Sequence, residues 1–434
     1  MSATTIGLIG LGIMLVLMFC NVNLAYVFFI AGFVGVSMML GVKGALSFLQ
    51  TIPVTSAMVY SLSIIPLFML MGDVSSDARL TTDAYFAARN FLGHRRAGLA
   101  ITSTVASAIF GAICGSGQAT AMIMSQIGWP EMKKYGYNRS LGLCSIAAAG
   151  PLATLIPPST PLIMYGLLSS TSVGALFMAG WIPGIILTIA LCLTSWVRVL
   201  KNPSLAPRAE KSTWKEKLRS LSGAWPILLL IIVIMVCIWG GITTVNEAAG
   251  IASICSIIIA FAQRRMNIRQ MIQSLKRSAE AAAGLFFMFV GMQLFNSFLS
   301  LTQLPAKLSS FIVTLNVSPM VIIWAIVIMY LILGCFIDAP VIMMLVTPLF
   351  APVIASMGFS LIWFGILTAM CMALGSITPP VGICLFVVAA KIKECKLTEL
   401  MKGIWPYVIV TFAVTVLIMY IPEIATWLPS IMRG

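Results

Sequence analysis

The stretch Gly150-Pro-Leu-Ala-Thr-Leu-Ile-Pro-Pro-Ser-Thr-Pro161 and its later counterpart Leu374-Gly-Ser-Ile-Thr-Pro-Pro-Val-Gly382 lie within long apolar segments, yet neither reads as an unbroken helix. Proline lacks an amide hydrogen and clashes with the preceding turn, so Pro157–Pro158 and Pro379–Pro380 interrupt any helix that contains them. The two pairs stand 222 positions apart. The same offset sets Ser116, in Gly115-Ser-Gly-Gln-Ala-Thr120, opposite Asp338, in Gly334-Cys-Phe-Ile-Asp-Ala-Pro340. It also relates residues 4–41 to 226–263, 58–78 to 280–300 and 172–196 to 394–418. The chain is an internal duplication.

Composition places the duplication in a membrane. Of 434 residues, 60% are hydrophobic and 9% charged, against about 25% charged in soluble domains. Many charge-free stretches reach the roughly 20 residues that cross a bilayer. Residues 6–20 have no basic residue before them and read as a retained helix, not a cleaved signal. The formal charge of +14 reflects basic residues gathered in cytoplasmic loops, so no nucleic-acid partner is implied. The ten cysteines contain no C-x-x-C pair and read as small apolar packing groups.

Basic residues orient the halves. They cluster at 79–96 (four), 133–139 (three), 198–219 (seven), 264–277 (five) and 391–402 (four), which leaves Lys43, Lys307 and Arg433 outside. With the amino terminus outside and residues 97–129 and 317–355 as re-entrant hairpins, helices near 4–22, 24–41, 54–71, 140–166 and 172–196 make five crossings. Five more follow near 223–241, 246–263, 280–300, 360–388 and 403–421. All five clusters then face the cytoplasm. An odd number of crossings per repeat inverts the second half, as in many secondary transporters. The expected fold is therefore an all-α polytopic membrane protein, an inverted repeat with two re-entrant hairpins and two discontinuous helices. Residues 77–96 are expected as an amphipathic interfacial helix, and 198–219 as a polar cytoplasmic linker.

The chemistry is expected at the breaks. Unpaired backbone at membrane depth is tolerated only against protein or a polar cavity. There carbonyl oxygens can hold a hard cation, and half-helix amino termini an anion. Gly111, Gly115, Ser116 and Gly117 in one hairpin, and Gly334 and Asp338 in the other, allow tight turns and close approach to a ligand. Asp338 is the only charged residue between Lys307 and Lys391. A carboxylate there is a candidate functional group, and it can also cap a half-helix. Asp73 and Glu280 are expected near helix ends, Glu247 in a solvated turn, and Trp129, Trp181, Trp239, Trp405 and Trp427 as interfacial anchors.

The motifs Gly115-Ser-Gly-Gln-Ala-Thr, Trp129-Pro-Glu-Met-Lys-Lys-Tyr-Gly-Tyr137, Gly150-Pro-Leu-Ala-Thr-Leu-Ile-Pro-Pro-Ser and Gly375-Ser-Ile-Thr-Pro-Pro-Val-Gly382 together resemble the large membrane subunit of tripartite ATP-independent periplasmic (TRAP) transporters, the DctM-like family. The resemblance covers essentially the whole chain. Gln118 departs from it, standing where the family often has proline. The resemblance implies sodium-driven elevator uptake of a small organic anion (sialic acid, dicarboxylate or sugar acid) at a bacterial inner membrane. It also implies two partners, a small four-helix membrane subunit and a soluble periplasmic binding protein.

Carried over by motif, one sodium site would use Gly111, Cys114, Ala153, Ile156 and Pro158, largely through carbonyl oxygens. At Cys114, where a serine is common, only the backbone oxygen is expected to serve. The second site would use Gly334, Gly375, Thr378 and Val381. Substrate would lie near Ser116, Gly117, Thr154, Asp338 and Ser376. The implied organisation is scaffold helices at 1–72 and 223–300, an arm at 73–96, transport-domain halves at 97–196 and 317–434, a linker at 197–222 and an outer connection at 301–316.

Enzyme readings fare worse. His94, the only histidine, sits beside Arg95 and Arg96, Asp338 lacks a second aspartate at comparable depth in the sequence, and no ATP-binding loop of the Gly-x-x-x-x-Gly-Lys-Ser/Thr type occurs. The closest alternative is a related sodium–anion symporter that works without a binding protein.

Overall fold

The computed structural model describes residues 2–20, 22–314, 317–392 and 394–432. The end of the expected outer connection (315 and 316), Lys393 and Arg433 lie outside them. The first half contains α1 (Ala3–Phe19), α2 (Leu24–Ala57), α3 (Ile64–Asp77), α4 (Leu80–Leu92), α5 (Gly98–Cys114), α6 (Gly117–Lys134), α7 (Arg139–Ala149), α8 (Thr160–Ser169) and α9 (Val173–Lys201). The second contains α10 (Trp214–Trp239), α11 (Val245–Ala262), α12 (Ile268–Leu301), α13 (Leu304–Thr314), α14 (Pro319–Gly334), α15 (Ala339–Ser356), α16 (Leu361–Gly375), α17 (Ile383–Lys391), α18 (Leu397–Gly403), α19 (Trp405–Tyr420) and α20 (Glu423–Met432). Among the described residues there is no strand. Moved by 222 positions, α6 coincides with α15, and the pair α7 and α8 with α16 and α17. The duplication read from the motifs is therefore also a duplication of helices.

Several boundaries differ from those expected. Instead of a helix at 54–71, α2 continues to Ala57, bending at Gly41 (φ +74°, a conformation glycine adopts without a Cβ penalty). The chain restarts as a short 3-10 turn at Tyr60–Ser63 before α3. The helix expected at 280–300 begins at Ile268, because Asn267 and Gln270 cap each other's backbone amides. Glu280 is thus mid-helix, paired with Lys276 at 3.8 Å, and not at an end. Glu247 does not sit in a free turn but closes the capping box of α11 with Thr244. The expected crossing at 403–421 is preceded by α18, bent by 50° against α19.

The linker is shorter than expected and docked. Only residues 202–213 separate α9 from α10, and Asn138 N–H donates to the Leu205 carbonyl at 2.9 Å. Ser212 Oγ donates to Asn90 Oδ1 at 3.1 Å. Trp129 is buried against Gly142 rather than placed as a surface anchor. Trp181 and Trp239 pack edge to face, and Trp405 and Trp427 are exposed.

Two groups of helices result. In one, α2 lies along α12 while α3 packs on α11 and α12. Polar stitches cross this group, with Asn246 Nδ2 donating to the Tyr60 carbonyl at 2.7 Å and Ser253 Oγ to the Leu67 carbonyl at 2.5 Å. The second group is built around α5, which packs on α6, α7, α9 and the turn at 150–154, and around α16, which packs on α14, α15 and α19. Six described helices are long and apolar enough to cross a bilayer, and α15, an arm of the second hairpin, is one of them. Length alone therefore misses the broken helices.

Candidate functional site

Each half brings a helical hairpin against a broken helix. At the first tip, α5 ends at Cys114, Gly115 takes a left-handed conformation (φ +63°), and Ser116 caps α6 by accepting Ala119 N–H at 3.4 Å. At the second tip, Asp338 is the cap of α15, its Oδ1 accepting Ala339 N–H at 2.8 Å. The pair related by the sequence offset is therefore a pair of helix caps. The breaks follow the prolines, with a 3-10 turn at Gly150–Thr154 after α7 and a turn at 376–382 after α16. Both proline pairs are joined by cis peptide bonds.

Hairpin and break meet backbone to backbone. A Cβ on Gly111 would stand 3.0 Å from Ala153 Cα, and one on Gly375 would stand 2.6 Å from Gly334 Cα. Next to the first contact, the Pro158 carbonyl oxygen would lie 2.9 Å from a Cβ on Gly115. The carbonyl oxygens of Ile156 and Pro158 accept no hydrogen bond from the described residues, nor do those of Gly334, Thr378 and Val381. Buried carbonyls are nearly always paired, and a cluster of unpaired oxygens is what a hard cation requires. Of the donors expected for sodium, the Gly111 and Gly375 carbonyls are instead paired, accepting Gly115 N–H at 2.9 Å and Thr378 N–H at 3.1 Å. Thr378 Oγ1 donates to the Leu374 carbonyl at 2.6 Å, so its oxygen keeps lone pairs for a cation. Cys114 ends α5, where the last carbonyls run out of helical partners.

Between the tips lies a cavity of about 250 Å³. Ser116, Gly117, Thr154, Asp338 and Ser376 all line it. Thr154 is buried and donates to the Pro151 carbonyl at 2.8 Å, and Ser376 donates to the Ala373 carbonyl at 2.8 Å. The first residues of four helices border the same space: Gly117 of α6, Thr160 and Pro161 of α8, Ala339 and Pro340 of α15, and Ile383 and Cys384 of α17. Helix amino termini carry a positive dipole end, but of the amides named here Thr160 N–H is paired with the Gly115 carbonyl, Ala339 N–H with Asp338 Oδ1 and Cys384 N–H with the Ser376 carbonyl, and Pro161 and Pro340 have none. Asp338 adds a carboxylate to this lining.

Some lining residues had no signal in the sequence. Met69 of α3 and Ala281 and Leu285 of α12 close the cavity from the other helix group, and nothing local marks them. Gln118, noted only as a departure from the family pattern, approaches the Asp338 carboxylate. A larger opening of about 620 Å³ adjoins the cavity, sharing Ile337 and Asp338 and bounded by Met18, Asn23, Gly284 and Met288.

Residues 11–424 match the family described as "Tripartite ATP-independent periplasmic transporter, DctM component". The chain belongs to this family. It is a transporter subunit, not an enzyme. The permease is 32% identical over 374 residues to the C4-dicarboxylate TRAP transporter large permease protein DctM of Pseudomonas aeruginosa, covering 86% of each chain. It is 29% identical over 377 residues to the sialic acid TRAP transporter large permease protein SiaM of Vibrio cholerae, covering 86% of this chain and 87% of that one. The fold of the permease resembles that of the YdaH transporter of Alcanivorax borkumensis, with a TM-score of 0.67, 17% identity and coverage of 88% and 89%.

Proposed function

We propose that the permease imports a small organic acid across the bacterial inner membrane, driven by sodium. The observation that carries this reading is the convergence of four helix amino termini and one carboxylate on a single cavity flanked by two groups of carbonyls, of which those of Ile156, Pro158, Gly334, Thr378 and Val381 are unpaired. The amino termini receive the substrate's carboxylate. The carbonyls at Gly111, Cys114, Ala153, Ile156 and Pro158, and at Gly334, Gly375, Thr378 and Val381, receive sodium. Helices α1–α3 and α10–α12 act as the scaffold, and the hairpin-bearing helices slide against them as an elevator. The relatives named for a C4-dicarboxylate and for sialic acid support an acidic solute, those named for ectoine widen the range, and together they agree on no single one. A small four-helix membrane subunit and a periplasmic binding protein complete the transporter, the latter delivering the substrate.

Reconstitution tests this. Uptake in proteoliposomes should require an inward sodium gradient, the small subunit and the binding protein, and should ignore ATP. Full-rate uptake without sodium would remove the cation sites, and full-rate uptake without the binding protein would favour a two-component symporter. Orientation is tested separately. Cysteines placed in 202–213 should resist an impermeant thiol reagent in intact cells, whereas one at Lys307 should react.

A further inference from the structure

Asp73 lies near the end of α3, as the sequence pattern suggests, but its surroundings are those of a packed contact. It lies within α3, one turn beyond the cavity-lining Met69, and next to Gly72. Gly72 is where α3 meets the first hairpin, since a Cβ there would stand 3.2 Å from Cys114 Cα and 3.5 Å from the Ile113 carbonyl oxygen. The half-buried Asp73 carboxylate accepts Ser278 Oγ at 2.5 Å. No basic side chain forms an ion pair with it among the described residues, since Arg277, whose charge acts on it from a distance, pairs with Asp77. An asparagine would accept the Ser278 hydroxyl equally well without the cost of a charge at this depth. The charge itself therefore calls for a partner.

The repeat shows which one. The position equivalent to Asp338 in the first half is Ser116, so the first hairpin tip carries no charge of its own. The position equivalent to Asp73 in the second half is Phe295, packed against Phe28 and Phe298. The second tip carries a carboxylate of its own, Asp338, and α3, which packs on the first tip at Gly72, carries Asp73. We infer that Asp73 completes the first cation site from outside the hairpin, balancing the charge of a monovalent ion held by the carbonyls of Gly111, Cys114 and Pro158. This rests on the sodium reading above. Its consequence is new: Asp73 and those carbonyls sit on separate helix groups, so a slide of one helical turn, about 5.4 Å, separates them. Ion affinity at the first site then depends on where the hairpin stands, tight in the position seen here and weaker in the other.

The test is sodium activation of uptake measured separately at the two faces of oriented proteoliposomes holding the complete transporter. Asp73→Asn should raise the half-saturating sodium concentration about tenfold at one face only, the change expected for ~1.4 kcal/mol lost from one state. Asp73→Glu, which keeps the charge, should stay near the wild-type value at both faces, and it carries the test if the asparagine variant fails to insert. Equal shifts at both faces, or curves that superimpose on wild type, would overturn the inference. So would a glutamate variant as impaired as the asparagine one. If the wild type itself shows no sodium activation, the broader sodium reading fails instead.

Discussion

The two hairpins descend from one sequence unit and meet their broken helices in the same way, yet their surroundings differ. The first is sunk in protein, with most of α5 buried against α6, α7, α9 and the turn at 150–154. The second lies toward the outside, where α14 packs mainly on α16 and exposes Val321, Ile328 and Ile332. The tips differ too. Ser116 sits between two glycines, whereas Asp338 follows Cys335, Phe336 and Ile337. The embedded hairpin is neutral and borrows its surroundings; the peripheral one brings its own charge. A duplicated motif thus preserves backbone geometry, which the helix caps and proline breaks dictate locally, while side-chain chemistry diverges with burial.

The sharpest test of that difference is charge at the tips. Asp338→Asn should raise half-saturating sodium tenfold for each ~1.4 kcal/mol lost, and by tenfold at least, with uptake falling accordingly. Ser116→Ala should forfeit only a helix cap, about 1 kcal/mol of stability. Equal effects on the sodium curve would mean the tips are equivalent after all.

Next comes close packing. Gly375→Ala forces a methyl group to 2.6 Å from the Gly334 backbone, and Gly111→Ala to 3.0 Å from Ala153. Overpacking costs about 1–3 kcal/mol, so Gly375→Ala should lower the unfolding temperature of the purified permease more than Gly111→Ala. The reverse order would show that the peripheral α14 yields where the embedded α5 cannot.

A smaller effect is expected at Thr378, whose counterpart in the first half is Ile156. Thr378→Val removes one hydroxyl at nearly constant volume and should weaken sodium activation up to about tenfold, within the 1–3 kcal/mol range for a lost buried polar partner. The control is Ser360→Ala. It removes the cap of α16, costing about 1 kcal/mol of stability, and should leave the sodium curve unchanged.

The least expected effect concerns Glu394, which joins the halves through two bonds to Lys133 Nζ, at 2.7 and 2.8 Å. Those bonds hold its carboxyl below the ordinary value of 4.5. Its stabilising contribution is therefore complete above that value and is lost as pH falls through the lower, folded-state pKa. On an exposed surface the contribution is small. The unfolding temperature should drop slightly more on acidification in the wild type than in Glu394→Gln, and parallel curves would show the pair to be silent.

How much was legible beforehand depends on the range over which each cause acts. Proline pairs, glycine turns and an isolated aspartate act within a few residues, so the breaks, the caps at Ser116 and Asp338 and the 222-residue repeat could all be read from the chain. Gly41 and Asn267 act as locally, yet their sequence signals are single residues, and they set the bend of α2 and the start of α12. Asp73 illustrates the other limit. Its place near the end of an apolar run suggested an interfacial residue, and only the contact between Gly72 and Cys114 brings it to a hairpin tip.

By itself, then, the sequence determined an all-helical membrane class, an internal repeat and the positions where helices must break, because charge scarcity and proline sterics are properties of short segments. Only the tertiary structure decided that four helix amino termini share one cavity, that Met69, Ala281 and Leu285 close it, and that Gly72, next to Asp73, packs on Cys114. The offset of 222 residues establishes which positions are equivalent, not which are adjacent. Adjacency arises when the two halves pack against each other, and no residue carries that information alone.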